Sequence, residues 1–448
     1  MSSVSSRSWV ALISVLCGLV VTNSALAVPS FARQTGQDCV ACHIGGFGPQ
    51  LTPFGVKFKI GGYVDSDGKV GKLPLSGMVV ASHTRTAKDQ DAPPADGYKV
   101  NNNSALDEVS VFLAGKLASQ IGSFTQLTYD GISKTVALDQ MDLRFAHPME
   151  VNGKDLVLGL SLNNNPSVQD PFNTLPVWGF PYNGSALGFG GAETGTLLNG
   201  ALEQRVLGLS GYAFWDNHLY AELGSYRALS PTAQARLGQD RAGDPGRLGG
   251  SNVYWRFAWF EDRKRDAWSV GVFGFNASIQ PDRSSGTPRN RYGDVGVDAQ
   301  YQFLGTRLHV ATVQASYIHE KQTRNALVES SGATNLRGNL NELRLNASYH
   351  YRQTWGASLG HFSTTGSADA LLFASNAGNV PDTSGQIVQF DWTPFGKEDS
   401  WNAPWANLKL GLQYTRYAKY NGASRNYDGQ GRDAKDNNTL YLFAWSSF

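Results

Sequence analysis

Apolar and polar side chains alternate along this chain from about residue 75 onward, and no other feature constrains its fold as strongly. One face of residues 407–417 carries Leu408, Leu410, Leu412 and Tyr414. Residues 342–351 repeat the pattern, and residues 156–162 have a leucine at every second position. Because successive side chains of a strand point to opposite faces, these segments predict strands with one apolar and one polar face. Soluble antiparallel sandwiches and membrane-spanning β-barrels are both built from such strands.

The connections between the candidate strands favour the membrane barrel. About sixteen strands are predicted, and they begin near residues 75, 106, 121, 136, 154, 203, 217, 251, 267, 294, 306, 338, 353, 385, 406 and 437. Short turns, such as residues 304–305 and 352–353, alternate with long polar stretches near residues 85–105, 164–202, 228–250 and 320–337. An even strand number, short periplasmic turns and long external loops are typical of bacterial outer-membrane barrels. The predicted fold class is therefore all-β, a transmembrane antiparallel β-barrel over residues 73–448.

The N-terminus indicates export, and the composition excludes a helical membrane protein. Residues 1–27 combine Arg7, an apolar run and Ala25-Leu26-Ala27, which predicts a signal peptide cleaved after Ala27. A lipoprotein anchor on Cys17 is the alternative, although Leu16 stands where such a site requires a small residue. The mean hydropathy is −0.29, and no later segment supplies the roughly 18 apolar residues of a spanning helix. The formal net charge of +1 gives no indication of nucleic-acid binding.

A C-x-x-C-H motif, Cys39-Val40-Ala41-Cys42-His43, precedes the predicted barrel. This spacing is the attachment signature of c-type haem. Two intervening residues let both sulfurs reach one porphyrin, and the adjacent imidazole serves as the proximal iron ligand. A Cys39–Cys42 disulfide and a zinc site are the alternatives. Zinc would need further ligands, yet no other Cys or His lies between residues 28 and 82. The motif therefore predicts one covalently attached haem c, held by Cys39, Cys42 and His43.

Residues 28–72 form the predicted monohaem cytochrome c segment, which is too short to bury a large core by itself. Its apolar residues could surround the porphyrin or form an ordinary small core; they are Phe31, Phe47, Phe54, Phe58, Ile60 and Tyr63. A barrel of around sixteen strands encloses a lumen wide enough to hold the segment as a plug, so the segment is expected either in the lumen or in the periplasm. The candidates for contact with such a plug, or for a solvated pore wall, are Lys116, Asp142, Arg144, Glu342, Arg344 and Lys409.

The N-terminal motifs resemble those of a known family. They comprise residues 31–36 (FARQTG), the C-x-x-C-H motif, residues 51–55 (LTPFG) and the pair Phe58-Lys59. This combination is similar to the fused outer-membrane cytochrome–porin family, the monohaem iron-oxidising outer-membrane cytochromes. The match covers about 30 residues, and over the barrel only the architecture corresponds. The resemblance implies a haem-bearing segment joined to a porin-like barrel, with Cys39, Cys42 and His43 holding the haem.

The leading hypothesis is electron transfer across the bacterial outer membrane. The resemblance implies an extracellular donor such as Fe(II) and a periplasmic c-type cytochrome as acceptor, and hence an Fe(II):cytochrome c oxidoreductase if the transfer is counted as an enzyme activity. Outer-membrane lipid would surround the barrel. The alternative is a diffusion porin whose haem segment gates the pore or acts as a sensor. A soluble multi-strand cytochrome is the third hypothesis.

Met78 is the candidate for the second axial ligand of the iron, because residues 28–72 supply only His43. Met78 and His83 are the nearest candidates downstream. Alternation groups Met78 with Ser76, Ser82 and Thr84 on the predicted lumen face, and His83 with apolar neighbours. A thioether ligand would raise the haem potential, which suits a weak reductant. An ordinary packing role for Met78 and an open sixth position are the alternatives.

Overall fold

The computed structural model describes residues 28–69, 71–284, 286–398, 400 and 405–448. The predicted signal peptide, including Cys17, lies outside the described residues. None of the described helices is long and apolar enough to span a membrane.

Sixteen antiparallel strands close into one barrel within the described residues. They are β1 (Leu75–Thr86), β2 (Asn103–Ala118), β3 (Ile121–Asp130), β4 (Thr135–Val151), β5 (Lys154–Asn163), β6 (Val206–Trp215), β7 (Leu219–Ala228), β8 (Arg247–Gly249 with Val253–Asp262), β9 (Asp266–Gln280), β10 (Asn290–Phe303), β11 (His309–Arg324), β12 (Arg337–Tyr351), β13 (Trp355–Gly366), β14 (Thr383–Trp392), β15 (Asn407–Lys419) and β16 (Thr439–Ser447). Both segments of β8 pair with β9, so they form one interrupted strand. β1 pairs with β2 on one side and with β16 on the other, which closes the barrel.

The predicted barrel and its sixteen strands are therefore confirmed. Each predicted strand start lies within a few residues of an observed one. The agreement arises because the alternation of apolar and polar side chains begins where the strand begins. The interruption of β8 near residue 251 was not predicted. Five short α-helices also occur among the described residues: α1 (Pro29–Thr35), α2 (Cys39–Cys42), α3 (Pro53–Ile60), α4 (Pro231–Arg236) and α5 (Asn325–Glu329).

The barrel is apolar outside and polar inside, the reverse of a soluble protein. Large apolar side chains exposed on its outer surface include Leu160, Leu209, Leu223, Phe257, Val295, Val313, Leu359 and Phe390. Buried polar side chains facing inward include Asp142, Arg144, Ser161, Arg256, Asp298 and Thr312. A soluble sandwich would bury its large apolar side chains between sheets. The observed arrangement is that of an outer-membrane-type barrel surrounded by lipid.

Residues 28–69, here called the plug, lie inside the barrel. They are hydrogen-bonded to strands around its circumference. The bonds join Tyr63 to Asp142 on β4 at 2.7 Å, Tyr212 on β6 to Ile60 at 2.7 Å, Gln302 on β10 to Leu51 at 2.7 Å, and Gln50 to Thr312 on β11 at 2.7 Å. At Gly122 on β3, a Cβ atom would lie 2.2 Å from the carbonyl oxygen of Gly62. Glycine there lets the plug approach the barrel wall closely.

Residues 164–205, here called the inner loop, also fold into the lumen, although the sequence pattern predicted a long external loop. Residues 164–176 are buried. Backbone N–H groups of Leu197 and Leu198 donate to Glu320 at 2.6 Å and to Asp294 at 2.9 Å, both carboxylates lying on the barrel wall. A polar loop can be buried when the wall supplies partners for its backbone groups. The plug and the inner loop therefore both lie in the lumen and are hydrogen-bonded to its wall.

Candidate functional site

The C-x-x-C-H motif forms a compact turn that is held by the segment following it. Cys39 to Cys42 make the single turn of α2, and the His43 N–H donates to the Cys39 carbonyl at 2.9 Å. The N–H of Thr52 donates to the Cys42 carbonyl at 2.9 Å, while its hydroxyl accepts the N–H of Gly55 and so caps α3. A Cβ atom at Gly55 would lie 2.4 Å from the Cys42 carbonyl oxygen. The residue 51–55 motif thus packs α3 directly against the cysteine turn.

A cavity of about 330 Å³ lies beside this turn, within the lumen. Cys42 and His43 line it, whereas Cys39 is buried in the same helical turn but is not among the lining residues. The lining also contains polar groups, among them Glu108 and Asp139, and nine aromatic residues: Phe31, Phe47, Phe58, Tyr63, Phe112, Phe124, Trp178, Tyr182 and Trp445. The volume and the apolar lining with a few polar groups are those of a small-molecule or cofactor site.

The aromatic residues proposed from the sequence divide between two environments. Phe31, Phe47, Phe58 and Tyr63 line the cavity, and Phe31 packs edge-on against Phe58 with ring centroids 5.0 Å apart. Ile60 instead packs into an apolar cluster with residues of the barrel wall, and Phe54 is exposed. The four cavity residues are therefore placed where they could surround a porphyrin, whereas Ile60 belongs to an ordinary apolar core.

The cysteine turn carries the side chains that a covalently bound haem would require, and Cys42 and His43, but not Cys39, line the cavity. The Nδ1 atom of His43 is buried without a hydrogen-bond partner. Burial lowers the pKa of this imidazole to about 4, so it is neutral and able to ligate a metal near pH 7. Cys39 and Cys42 are both free thiols. Burial raises their pKa values to about 11 and about 12, which disfavours thiolate-based dithiol exchange. No group of three or more His, Cys, Asp or Glu side chains suited to a metal ion occurs among the described residues.

Met78 and His43 both line the cavity, but His83 does not. Met78 is buried on the lumen side of β1, whereas His83 points the other way and its Nδ1 atom is 2.9 Å from the Ser104 hydroxyl. The structure therefore places these two side chains on the faces that alternation predicted. Ligation of iron by Met78 stays a prediction.

Lys59 is a buried lysine in the cavity lining that the sequence did not single out, except as part of a family motif. Its Nζ atom donates to the Val168 carbonyl at 2.8 Å and to the Asn173 side chain at 2.9 Å, both in the inner loop. The same atom lies 4.4 Å from the centroid of the Trp178 ring. The sequence signal that could have identified Lys59 is a lysine within the largely apolar segment that follows the cysteine turn. Lys59 joins the plug to the inner loop at the cavity wall.

The six candidate lumen residues divide into three groups. Asp142, Arg144 and Lys409 contact the plug; Arg144 donates to the Lys59 carbonyl at 3.2 Å, and Lys409 to the Phe47 carbonyl at 3.4 Å. Glu342 and Arg344 instead bind Asn199 of the inner loop, at 2.8 Å and 3.0 Å. The side chain of Lys116 is exposed, and only its backbone N–H reaches the plug, at Gln34.

No protein-family model and no curated protein matches this chain. Solved outer-membrane barrels show structural similarity at low identity. OprB of Pseudomonas putida is 13% identical with a TM-score of 0.46, the comparison covering 84% of this chain and 93% of that one. An anion-selective porin from Comamonas acidovorans is 12% identical with a TM-score of 0.43, covering 83% and 98%. The outer-membrane channel DcaP of Acinetobacter baumannii is 11% identical with a TM-score of 0.42, covering 84% and 96%. Because these TM-scores are below 0.5, the fold assignment rests on the strand pairing of this chain itself.

Proposed function

We propose that this protein transfers electrons across the outer membrane, with extracellular Fe(II) as donor and a periplasmic c-type cytochrome as acceptor. The observation that carries the proposal is the position of Cys42 and His43 on an aromatic cavity inside the lumen. A redox centre located in the periplasm would be separated from external donors by a hydrocarbon layer of about 25 Å. A centre held inside the barrel shortens that separation.

Haem c is the proposed cofactor, and when bound it supplies a one-electron redox centre whose potential depends on its axial ligands and burial. Cys39 and Cys42 would hold it through thioether bonds, and His43 would provide the proximal nitrogen. Lys59 lies at the cavity wall, where its amino group joins the plug to the inner loop. The plug and the inner loop restrict the access of water to the cavity.

A diffusion porin whose plug gates the pore or acts as a sensor is the second candidate. The barrel architecture taken alone supports it more directly than it supports electron transfer, since barrels of sixteen to eighteen strands commonly leave an aqueous channel. The polar inner wall of this barrel is also suited to water and solutes. Against this, the plug and the inner loop occupy the lumen and are hydrogen-bonded to its wall.

Anoxic mixing of the purified protein with Fe(II) distinguishes the two candidates. If the chain transfers electrons, its Soret and α absorption bands should shift to those of the reduced protein, while Mg²⁺, as a redox-inert control, should leave them unchanged. Liposomes containing the protein should meanwhile stay impermeable to small sugars. Unchanged bands together with rapid sugar uptake would refute electron transfer from Fe(II) and support the diffusion porin.

Replacing Met78 with leucine tests the proposed sixth ligand. Leucine fills a similar volume but has no sulfur, so the near-infrared sulfur-to-iron charge-transfer band should disappear and the reduction potential should fall. Met149→Leu is the matched control, because Met149 is exposed on β4 and does not line the cavity. Identical bands and potentials in the wild-type protein and Met78→Leu would contradict the assignment.

A further inference from the structure

A groove of about 670 Å³ runs along the outer surface of the barrel, across β9, β10 and β11. It is separate from the plug and from the cavity that the plug lines. Its outward-facing lining residues are Asn276, Arg291, Gly293, Val295, Val297, Tyr317, His319, Lys321 and Thr323. Gly293 lies between Asn276 on β9 and Lys321 on β11 in the strand register, and its missing side chain leaves the groove open.

One wall of the groove is held in place by contacts with the neighbouring strand. The Tyr317 hydroxyl donates to Asn341 Oδ1 at 2.9 Å, and His319 Nδ1 lies 2.7 Å from the same oxygen. Side chains fixed by such contacts lose little freedom when a ligand binds.

One end of the groove is cationic and the other is apolar. Arg291 lies opposite Thr323, and Lys321 lies opposite Gly293, so the two cations are diagonal neighbours on the same face. Diagonal residues of adjacent strands are about 7–8 Å apart, which allows both side chains to reach one ligand. Both are exposed, and no ion pair to either occurs in the part of the chain that the structure describes. Away from them, Val295 and Val297 are each about half exposed.

The cationic end lies at the external surface if the long connections face outward. β11 and β12 are joined at this end by residues 325–336, whereas residues 304–308 and 352–354 join strands at the opposite end. Long connections of outer-membrane barrels are extracellular and short ones periplasmic. The acidic residues on these strands are Asp266, Asp294, Asp298 and Glu320. Asp294, Asp298 and Glu320 are buried on the lumen side, and Asp266 lies at the opposite end of its strand. At this end, the outward positions of β10 and β11 therefore carry two cations, Arg291 and Lys321, and no carboxylate.

We propose that this groove binds a phosphorylated lipid of the external leaflet, with a headgroup phosphate on Arg291 and Lys321 and an acyl chain along Gly293, Val295 and Val297. A guanidinium and an ammonium group within reach of one another match the charge of a phosphate. The apolar residues below the cations form a surface on which one acyl chain can lie in a fixed position. Bulk lipid around the rest of the barrel stays mobile. The inference is independent of haem and of electron transfer.

Lipid binding is tested on the full-length protein purified in detergent. Diphosphoryl lipid A is the probe, and bound lipid is counted by native mass spectrometry. The Arg291→Ser/Lys321→Ser variant should bind about 30-fold more weakly, since each cation near a lipid surface contributes on the order of a factor of five. Arg85→Ser/Arg227→Ser is the matched control, because both arginines are exposed at strand ends elsewhere on the barrel. Heat-modifiable gel migration verifies that each variant is folded.

Two further arms separate the phosphate from the acyl chain. Gly293→Leu should weaken binding of diphosphoryl lipid A without changing the charge, because leucine fills the groove floor. Dephosphorylated lipid A and inorganic phosphate alone should each bind weakly to the wild-type protein. Equal losses in the two double serine variants would overturn the proposal, as would full binding by Gly293→Leu or equal binding of the dephosphorylated lipid.

Discussion

Cells producing the Cys42→Ala or His43→Ala variant are expected to insert a folded barrel that lacks normally attached haem. Cys42 supplies one of the two thiols of the motif, and His43 supplies the only imidazole within the plug. The barrel closes through the pairing of β1 with β16, which involves neither residue. The effect on haem content should therefore be nearly complete, whereas insertion should be largely unaffected.

Haem staining of denaturing gels measures covalent attachment, and heat-modifiable migration of the same samples measures barrel folding. Cys17→Ala is the matched control, because Cys17 lies in the predicted signal peptide and should not affect haem content. Unchanged covalent staining together with an unchanged spectrum in His43→Ala would refute the ligand assignment. Loss of the folded barrel in both variants would instead show that the plug is required for barrel formation.

Replacing Arg256 with methionine is expected to release the inner loop and open the lumen. The buried guanidinium binds Asp298 at 2.8 Å and Asp170 of the inner loop at 3.3 Å. Asp170 in turn accepts the backbone N–H groups of Thr174 and Leu175, which shape the start of the loop. Removing the guanidinium leaves two buried carboxylates without their ion-pair partner, which costs about 3–5 kcal/mol. That cost favours conformations in which the loop leaves the lumen.

Single-channel conductance in planar bilayers should rise clearly in Arg256→Met relative to the wild-type protein. Arg352→Met is the control, since Arg352 is exposed in a short turn between β12 and β13. The triple variant Arg256→Met/Asp170→Asn/Asp298→Asn should recover part of the lost stability, because it removes the uncompensated charges. A wild-type conductance in a correctly inserted Arg256→Met barrel would show that other contacts hold the loop.

The strand pattern of this chain could be predicted because lipid and lumen impose opposite requirements on neighbouring residues. The strand at Asn407–Lys419 shows this directly: Leu410, Leu412 and Tyr414 are exposed to lipid, while Lys409 and Gln413 are buried inside. The same alternation placed Met78 on the lumen face and His83 on the other. The C-x-x-C-H motif could be identified because the residues that define it are adjacent in the sequence.

The position of the inner loop could not be predicted from its composition. Residues 164–202 are rich in polar and turn-forming residues, as external loops are. Their burial depends on partners from distant strands, such as Glu320 for Leu197 and Asp298 for Thr174. The buried position of Lys59 could not be predicted for the same reason, because its partners Val168 and Asn173 lie in that loop.

The sequence by itself determined the barrel, the number of its strands, the direction in which their side chains face and the position of the cysteine motif. Each of these depends on local periodicity or on adjacent residues. Only the tertiary structure decided that the plug and the inner loop occupy the lumen, that Met78 and His43 line one cavity, and that Arg291 and Lys321 lie at one end of the same outer groove. These arrangements depend on contacts between residues far apart in the chain, because barrel closure and strand register bring them together.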